Sequence, residues 1–310
     1  MKTSLVFFGN ERIATGITTN TPIFRELLAA GYEIEAVVIN HEKATSRKTR
    51  ALKIEEIAMS HNIAVHSPTS SEQLLELCKK FQSKIAVLVA YGRIIPQSVI
   101  DEFPLGIINV HPSLLPKHRG SVPIESVILQ GEQETGVSIM KLVKTMDAGP
   151  VYTQTKLSLQ GDETKQALSE LLAQDAAKKL REILPRIADG SLQPQPQDET
   201  QATYDQRITK ADGVIDWYET ASTIEREVRA YAGWPKSSTR LGTVDVVITA
   251  AHVEPERSGK TPGTVDIADA ALILSCGQES LEIDQLIPAG KKEMSAAEFI
   301  RGYENRVLSS

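Results

Sequence analysis

The chain is poor in the residues that cross-link or hold metals, and it lacks any hydrophobic run of membrane-spanning length. Its 310 residues include only two cysteines, Cys78 and Cys276. They lie far apart, match no metal or redox spacing, and are expected as reduced core residues. No stretch approaches the roughly 18 consecutive apolar residues of a transmembrane helix. Met1-Lys2-Thr3 runs straight into Ser4-Leu5-Val6-Phe7-Phe8-Gly9, too short an apolar segment for a secretory leader. A cytoplasmic protein with no membrane partner is expected. Nucleotide signatures are missing too. Gly9-Asn10-Glu11-Arg12 after the first apolar run is not a G-x-G-x-x-G fingerprint, so NAD is not expected. There is no Walker-type loop, no G-x-S-x-G elbow and no His/Cys/Asp cluster at ligand spacing, so no metal is expected. His118 lies seven residues beyond His111 across two prolines, which is not a recognised ligand pair.

What is present is the composition of a soluble globular protein, 41% hydrophobic and 24% charged, at a length that suggests two domains. The net charge of −6 excludes a general polyanion binder. Charge is nevertheless uneven. Lys43, Arg47, Lys48, Arg50 and Lys53 fall within one short segment free of acids, either a solvated loop leading into a helix or a contact for a phosphate-bearing partner.

Along the first half, short apolar runs alternate with helical patterns, the order of a mainly parallel sheet with crossover helices. Strands are expected over 4–8, 34–39, 85–90 and 106–110. Helices are expected from Pro22 to about Gly31, over 50–61, over 74–81 capped by Ser71, from Pro96 to Phe103, and over 122–129 capped by Ser121. Residues 137–142 and 151–157 read as antiparallel additions, and 164–188 as a long amphipathic helix kinked at Pro185. The aperiodic Pro- and Gln-rich stretch 190–203 reads as a linker. Beyond Tyr204 come a helix over 221–231 and short alternating runs over 238–240, 244–249, 263–267, 271–275 and 281–286, fitting a small barrel or sandwich.

The most informative stretch is Ile107-Ile108-Asn109-Val110-His111-Pro112-Ser113-Leu114-Leu115-Pro116. On a strand, residues i and i+2 share a face, so Asn109 and His111 can address one substrate. Asp147, in Met146-Asp147-Ala148-Gly149, supplies a carboxylate from a second loop. Together they offer a donor for a developing oxyanion, a proton carrier and an acid to orient it. Taken singly, each has a plainer reading: Asn109 and Asp147 as turn residues, His111 as a structural histidine.

Asn109–Pro116, then Arg119-Gly120, Pro123-Ile124, Glu134–Met140 and Met146–Pro150, resembles the signature segments of the 10-formyltetrahydrofolate-dependent formyltransferases. Later motifs carry the likeness over nearly the whole chain: Tyr204, Ile215-Asp216-Trp217, Ala230–Pro235 and Pro288–Lys292. They are most similar to the members that formylate methionyl-tRNA. The resemblance implies a Rossmann-like catalytic domain over 1–189, the linker 190–203, and a smaller β-barrel (OB-like) tRNA-binding domain over 204–310. It implies 10-formyltetrahydrofolate as donor, initiator methionyl-tRNA as acceptor, and Asn109, His111 and Asp147 as catalytic residues. It also implies folate contacts at Arg93, Ile94, Ile95, Ser113, Leu114, Leu115 and Pro116. For tRNA the candidates are Lys43, Arg47, Lys48, Arg50, Arg207, Lys210, Lys291 and Lys292. A monomer is expected.

The chain departs from the family pattern in two places. Members usually carry a Gly-Thr-Pro-x-Phe-Ala turn after the first strand, where this chain has Gly9-Asn10-Glu11-Arg12 and a Thr/Asn-rich insertion to Pro22. The basic loop keeps its charge but not the usual Pro- and Gly-rich spacing. Two other readings stay open. One is formylation of a small amine such as an amino-sugar nucleotide or glycinamide ribonucleotide. The other is a non-catalytic folate- or RNA-binding module, which the proton-handling trio opposes. From Tyr204 on, 12 basic face 17 acidic residues, so RNA contact there is confined to discrete patches.

Overall fold

A computed structural model describes residues 3–40, 52–255 and 260–308. The strands and helices of the first half are β1 (Ser4–Gly9), α1 (Pro22–Ala29), β2 (Glu33–Val38), α2 (Lys53–Ser60), β3 (Ala64–His66), α3 (Ser71–Cys78), β4 (Ile85–Val89), α4 (Gln97–Ile100), β5 (Gly106–His111), α5 (Pro123–Gln130), β6 (Glu134–Lys141), β7 (Val151–Ser158) and α6 (Lys165–Ala188). They build a seven-stranded sheet in the order β3-β2-β1-β4-β5-β6-β7. Pairing is parallel from β3 to β5 and antiparallel for β5–β6 and β6–β7.

Both faces of the parallel part are covered, which is why its strands are almost continuously apolar. Leu5 and Phe7 of β1, Val87 and Val89 of β4, and Ile108 and Val110 of β5 pack with α1, α2 and α6. Val6, Phe8, Ala86, Leu88 and Ile107 point the other way, against α3, α4 and Phe103. Each fully buried phenylalanine here contributes about 1.5–3 kcal/mol relative to exposure. Alternation then places Asn109 and His111 on the Ile107 face, at the carboxyl end of β5.

Two capping expectations change. The hydroxyl of Ser70, rather than Ser71, accepts the Gln73 N–H at 3.3 Å, because Ser71 is already helical. α5 has Val122 at its N-cap with no side-chain cap, and Pro123 opens it. Thr164 caps α6, and the helix runs on through Pro185 to Ala188.

The polar loop 10–21 after β1 is built around a buried acid. Thr21 precedes α1 without capping it. Instead the carboxylate of Glu11, wholly buried, accepts the N–H groups of Ile23 (3.0 Å) and Phe24 (2.6 Å). Burial pushes the Glu11 pKa up to about 8 against those two hydrogen bonds, which favour the anion.

The second half contributes α7 (Ala221–Ala230), β8 (Ser237–Leu241), β9 (Val244–Glu254), β10 (Val265–Ala268), β11 (Ala271–Ser275), β12 (Ser280–Pro288), β13 (Met294–Ser295) and α8 (Ala296–Val307). Its sheet is antiparallel, in the order β10-β11-β12-β9-β8, with β13 on β12. A separate core holds Ile224, Val228, Leu272, Leu281 and Phe299. Cys78 and Cys276 are free and buried in their respective cores.

A fully buried ion pair of the first half reaches the second through Trp234. Lys165 of α6 lies 3.6 Å from Glu125 of α5, both without exposure. Its ammonium donates to the carbonyls of Thr15 (2.8 Å) and Trp234 (3.1 Å), while Glu125 accepts the Thr15 N–H at 2.8 Å. Burial pushes the Glu125 pKa up and the Lys165 pKa down, each opposed by the other's charge. Gly16 makes this seat possible. Its φ is +77°, and a Cβ there would sit 2.7 Å from the Trp234 nitrogen.

Candidate active site

β5 runs between β4 and β6, with Asn109 opposite Leu88 and Met140 and His111 opposite Ser138. Asn109 and His111 are 6% and 5% exposed, so both are removed from bulk water. Among the described residues the Asn109 side-chain amide has no hydrogen-bond partner. A buried amide in that state is available to a ligand.

His111 is oriented from both sides. Nε2 lies 2.8 Å from the carbonyl oxygen of His118. A carbonyl only accepts, so Nε2 carries the proton in this arrangement. Nδ1 faces Asp147 Oδ2 at 3.7 Å, too long for a direct hydrogen bond. In the neutral ring Nδ1 and the carboxylate are both acceptors. The pair can therefore take up one proton between them and release it, the property required of a relay.

Asp147 is held with φ +49°, and its Oδ2 accepts the Gly120 N–H at 2.9 Å. Gly149, two residues on, lets the loop press against the sheet, since a Cβ there would lie 1.8 Å from the Lys141 carbonyl oxygen. The same loop is gripped from the 190–203 segment. Gln197 Nε2 donates to the carbonyls of Asp147 and Gly149, each at 2.7 Å. Gln197 Oε1 accepts from Arg119 Nη2 (2.8 Å) and Nε (3.2 Å). Arg119 is fully buried, and it also binds Glu199 (2.7 and 2.9 Å) and the Tyr204 hydroxyl (2.8 Å). So 190–203 is tied down along its length, Gln195 exchanging both backbone hydrogen bonds with Val151 at 2.8 Å.

The turn after β5 is internally satisfied. Ser113 is fully buried and donates to the Lys117 carbonyl at 2.8 Å. The Leu115 N–H donates to Ser138 Oγ (3.0 Å), and the Leu115 carbonyl accepts from Gln154 (2.7 Å). Leu114 and Pro116 face a cavity of about 340 Å³ shared with Thr135, Gln154, Lys156 and Asp198. Asn109, His111 and Asp147 do not line that cavity.

The turn 90–95 leaves β4 at the same carboxyl edge as Asn109, where ligands bind in open α/β sheets. Arg93 uses its guanidinium on the carbonyls of Pro68 (2.9 Å) and Thr69 (3.0 Å). Ile94 is 77% exposed, whereas Ile95 is buried in the core under β4. One of the two isoleucines is thus free to cover a ligand and the other is packing.

Of the basic candidates, Arg207, Lys210, Lys291 and Lys292 are exposed on the second half. Lys43, Arg47, Lys48 and Arg50 lie outside the described residues. Among the described residues no group of His, Cys, Asp and Glu is placed to hold a metal, and no helix is long and apolar enough to cross a membrane.

Sequence comparison agrees with this architecture. The formyl transferase family model matches residues 12–184, and the model of the formyl transferase C-terminal domain matches 207–304. The chain is 36% identical over 297 residues to the methionyl-tRNA formyltransferase of Nitratidesulfovibrio vulgaris (strain ATCC 29579), covering 91% of this chain and 89% of that relative. It is 34% identical to the methionyl-tRNA formyltransferase of Enterococcus faecalis, covering 98% and 97%. Among solved structures it is similar in fold to HypX from Aquifex aeolicus in complex with tetrahydrofolic acid (TM-score 0.68, 18% identity, 97% of this chain and 47% of that one). A comparable likeness holds to an N-formyltransferase from Helicobacter canadensis in complex with folinic acid and dTDP-3-aminofucose (TM-score 0.65, 16% identity, 91% and 99%).

Proposed function

The chain belongs to the methionyl-tRNA formyltransferase family, and we propose that Asn109, His111 and Asp147 carry its formyl transfer. The substrates of that reaction are 10-formyltetrahydrofolate and initiator methionyl-tRNA, and the product starts translation. The observation that carries the site assignment is a buried amide, unpartnered among the described residues, beside an imidazole whose single open nitrogen faces a carboxylate.

Attack by the α-amino group on the formyl carbon places negative charge on the formyl oxygen. The Asn109 amide donates to it in a water-poor site, where such a donor is worth about 3–4 kcal/mol of barrier. The attacking nitrogen then loses a proton, which passes to His111 Nδ1, with Asp147 balancing the charge. The proton returns to the folate nitrogen as the tetrahedral centre collapses, so the site ends each turnover as it began. Ile94 and the 90–95 turn cover the flat pterin, and Ser113, Leu114, Leu115 and Pro116 border the folate from the other side of the strand end.

The acceptor stem is assigned to Lys43, Arg47, Lys48 and Arg50, with Arg207, Lys210, Lys291 and Lys292 as discrete phosphate contacts on the second half. The test is incubation with 10-formyltetrahydrofolate and a panel of initiator methionyl-tRNA, elongator methionyl-tRNA and an amino-sugar nucleotide. Formylation of the initiator alone is expected; formylation of the sugar alone would remove the tRNA assignment. In the same assay His111→Ala and Asp147→Asn should abolish turnover while folate binding persists. Neutralising the four basic-loop residues should raise KM for the tRNA and flatten its salt dependence, and unchanged kinetics would detach that loop from the acceptor.

A further inference from the structure

His118 lies beside the site without belonging to the trio, and its geometry is unusual. Its backbone is in the left-handed region at φ +57°, which costs a residue with a Cβ about 1–2 kcal/mol. The residue is 4% exposed, yet its ring is polar at both nitrogens. Nδ1 meets Asp205 Oδ1 at 3.0 Å, and Nε2 meets Glu132 Oε1 at 3.1 Å. Its N–H donates to Thr203 Oγ1 at 2.8 Å. Two of these partners, Thr203 and Asp205, come from the chain that enters the second half. All of this restraint converges on one group, the His118 carbonyl that accepts from His111 Nε2.

We propose that His118, clamped between Asp205 and Glu132, is a positioning residue that fixes the Nε2–H tautomer of His111. The inference rests on His111 being the proton carrier. Two carboxylates at hydrogen-bond distance require donors at both ring nitrogens, so the His118 ring holds both protons. Burial pulls its pKa down, but Asp205 and Glu132 outweigh that and the net shift is upward, in agreement with the geometry. A doubly anchored ring cannot rotate, and the carbonyl one bond from its Cα is held with it.

The consequence is a choice between tautomers. Without the His118 carbonyl, His111 would place its proton on Nδ1, where the Asp147 carboxylate attracts it. The lone pair would then sit on Nε2, directed into the buried turn and out of reach of any amine. With the carbonyl in place, Nε2 keeps the proton and Nδ1 stays open. The segment leading into the second half thus governs the chemistry of β5 through an intermediate histidine.

The test combines kinetics with nitrogen spectroscopy. Two-bond ¹H–¹⁵N correlation spectra of ¹⁵N-histidine-labelled enzyme should show His111 with a pyridine-type Nδ1 and a pyrrole-type Nε2. In His118→Ala the pattern should become mixed or inverted. kcat should fall about ten- to hundredfold, less than full loss of a base because both tautomers interconvert. KM for 10-formyltetrahydrofolate should stay within about twofold. Should the alanine variant not fold, the near-isosteric Asp205→Asn/Glu132→Gln pair preserves packing but weakens both anchors of the ring, and it carries the same expectation in milder form. An unchanged His111 spectrum in either folded variant overturns the proposal. Full turnover by His111→Ala would instead sink the proton-carrier reading, and the spectra would still report whether His118 sets the ring.

Discussion

Gln197 gives the sharpest quantitative handle on the site, because one side chain bridges the buried Arg119 and the loop of Asp147. Its amide is polarised by its neighbours: the oxygen accepts from a guanidinium and the nitrogen donates to two carbonyls. Gln197→Ala forfeits two neutral hydrogen bonds of about 1 kcal/mol each and the two-pronged, charge-assisted contact that its oxygen makes with Arg119, taken together as about 1.5–3 kcal/mol. The segment is only half-buried, so water recovers part of this, and a net loss of about 2 kcal/mol is expected. For a chain of this size that lowers Tm by about 3 °C. Displacement of Asp147 by a fraction of an ångström should cost about tenfold in kcat. Gln197→Glu separates the two effects. A carboxylate suits Arg119 better than an amide does, but it repels the carbonyls of Asp147 and Gly149. This variant should keep its Tm within about 1 °C of the parent and lose kcat as the alanine variant does. Single-turnover formylation and differential scanning calorimetry supply both readouts. Parent-like kcat in Gln197→Glu would refute the idea that the clamp sets the Asp147 loop.

Two further outcomes concern the buried charges. Lys165→Ala leaves a fully buried Glu125 without its counter-ion, and should cost about 3–5 kcal/mol in denaturant unfolding. Glu125→Gln/Lys165→Met should recover most of that loss, and a double variant as unstable as the single one would contradict the pair's assigned role. Glu11 makes stability depend on pH. Its folded pKa near 8 lies above the ordinary 4.5, so between those values the folded chain holds a proton that the unfolded chain has released. Stability should therefore decline as pH rises through that window. Glu11→Gln should flatten the decline, as read from urea midpoints at pH 5 and pH 8, and an undiminished slope would place the titration elsewhere.

The sheet was legible because its strands are apolar on both faces and its crossover helices keep a helical period. Asn109 and His111 were legible because the two-residue spacing forces a shared face. Shorter elements were harder. β3 has only three residues, too few for any period to register. The local sequence signal for α8 is the capping box that Ser295 and Glu298 form at its start. The support around the site was the least visible part. Gln197 sits in a stretch with no periodicity, so composition suggests a linker, whereas its hydrogen bonds tie it to Arg119 and the Asp147 loop. His118 could be tested from sequence only as a metal ligand paired with His111. Its actual partners, Glu132 and Asp205, are 14 and 87 residues away, and only folding brings them together. The polar insertion after β1 hid a buried Glu11 for a similar reason: an acid used as a helix cap from a distance carries no local signature.

The seat of Gly16 on Trp234 and the reach of Lys165 to both Thr15 and Trp234 bear on how the molecule comes apart. A protease that cuts the 190–203 stretch would sever the peptide and not the enzyme. The two fragments would still share a lysine, an interlocked turn and the histidine clasp of Asp205, and would run as one particle until denatured. Evolution faces the same constraint: a foreign C-terminal unit could not be grafted here without also rewriting the loop that follows the first strand.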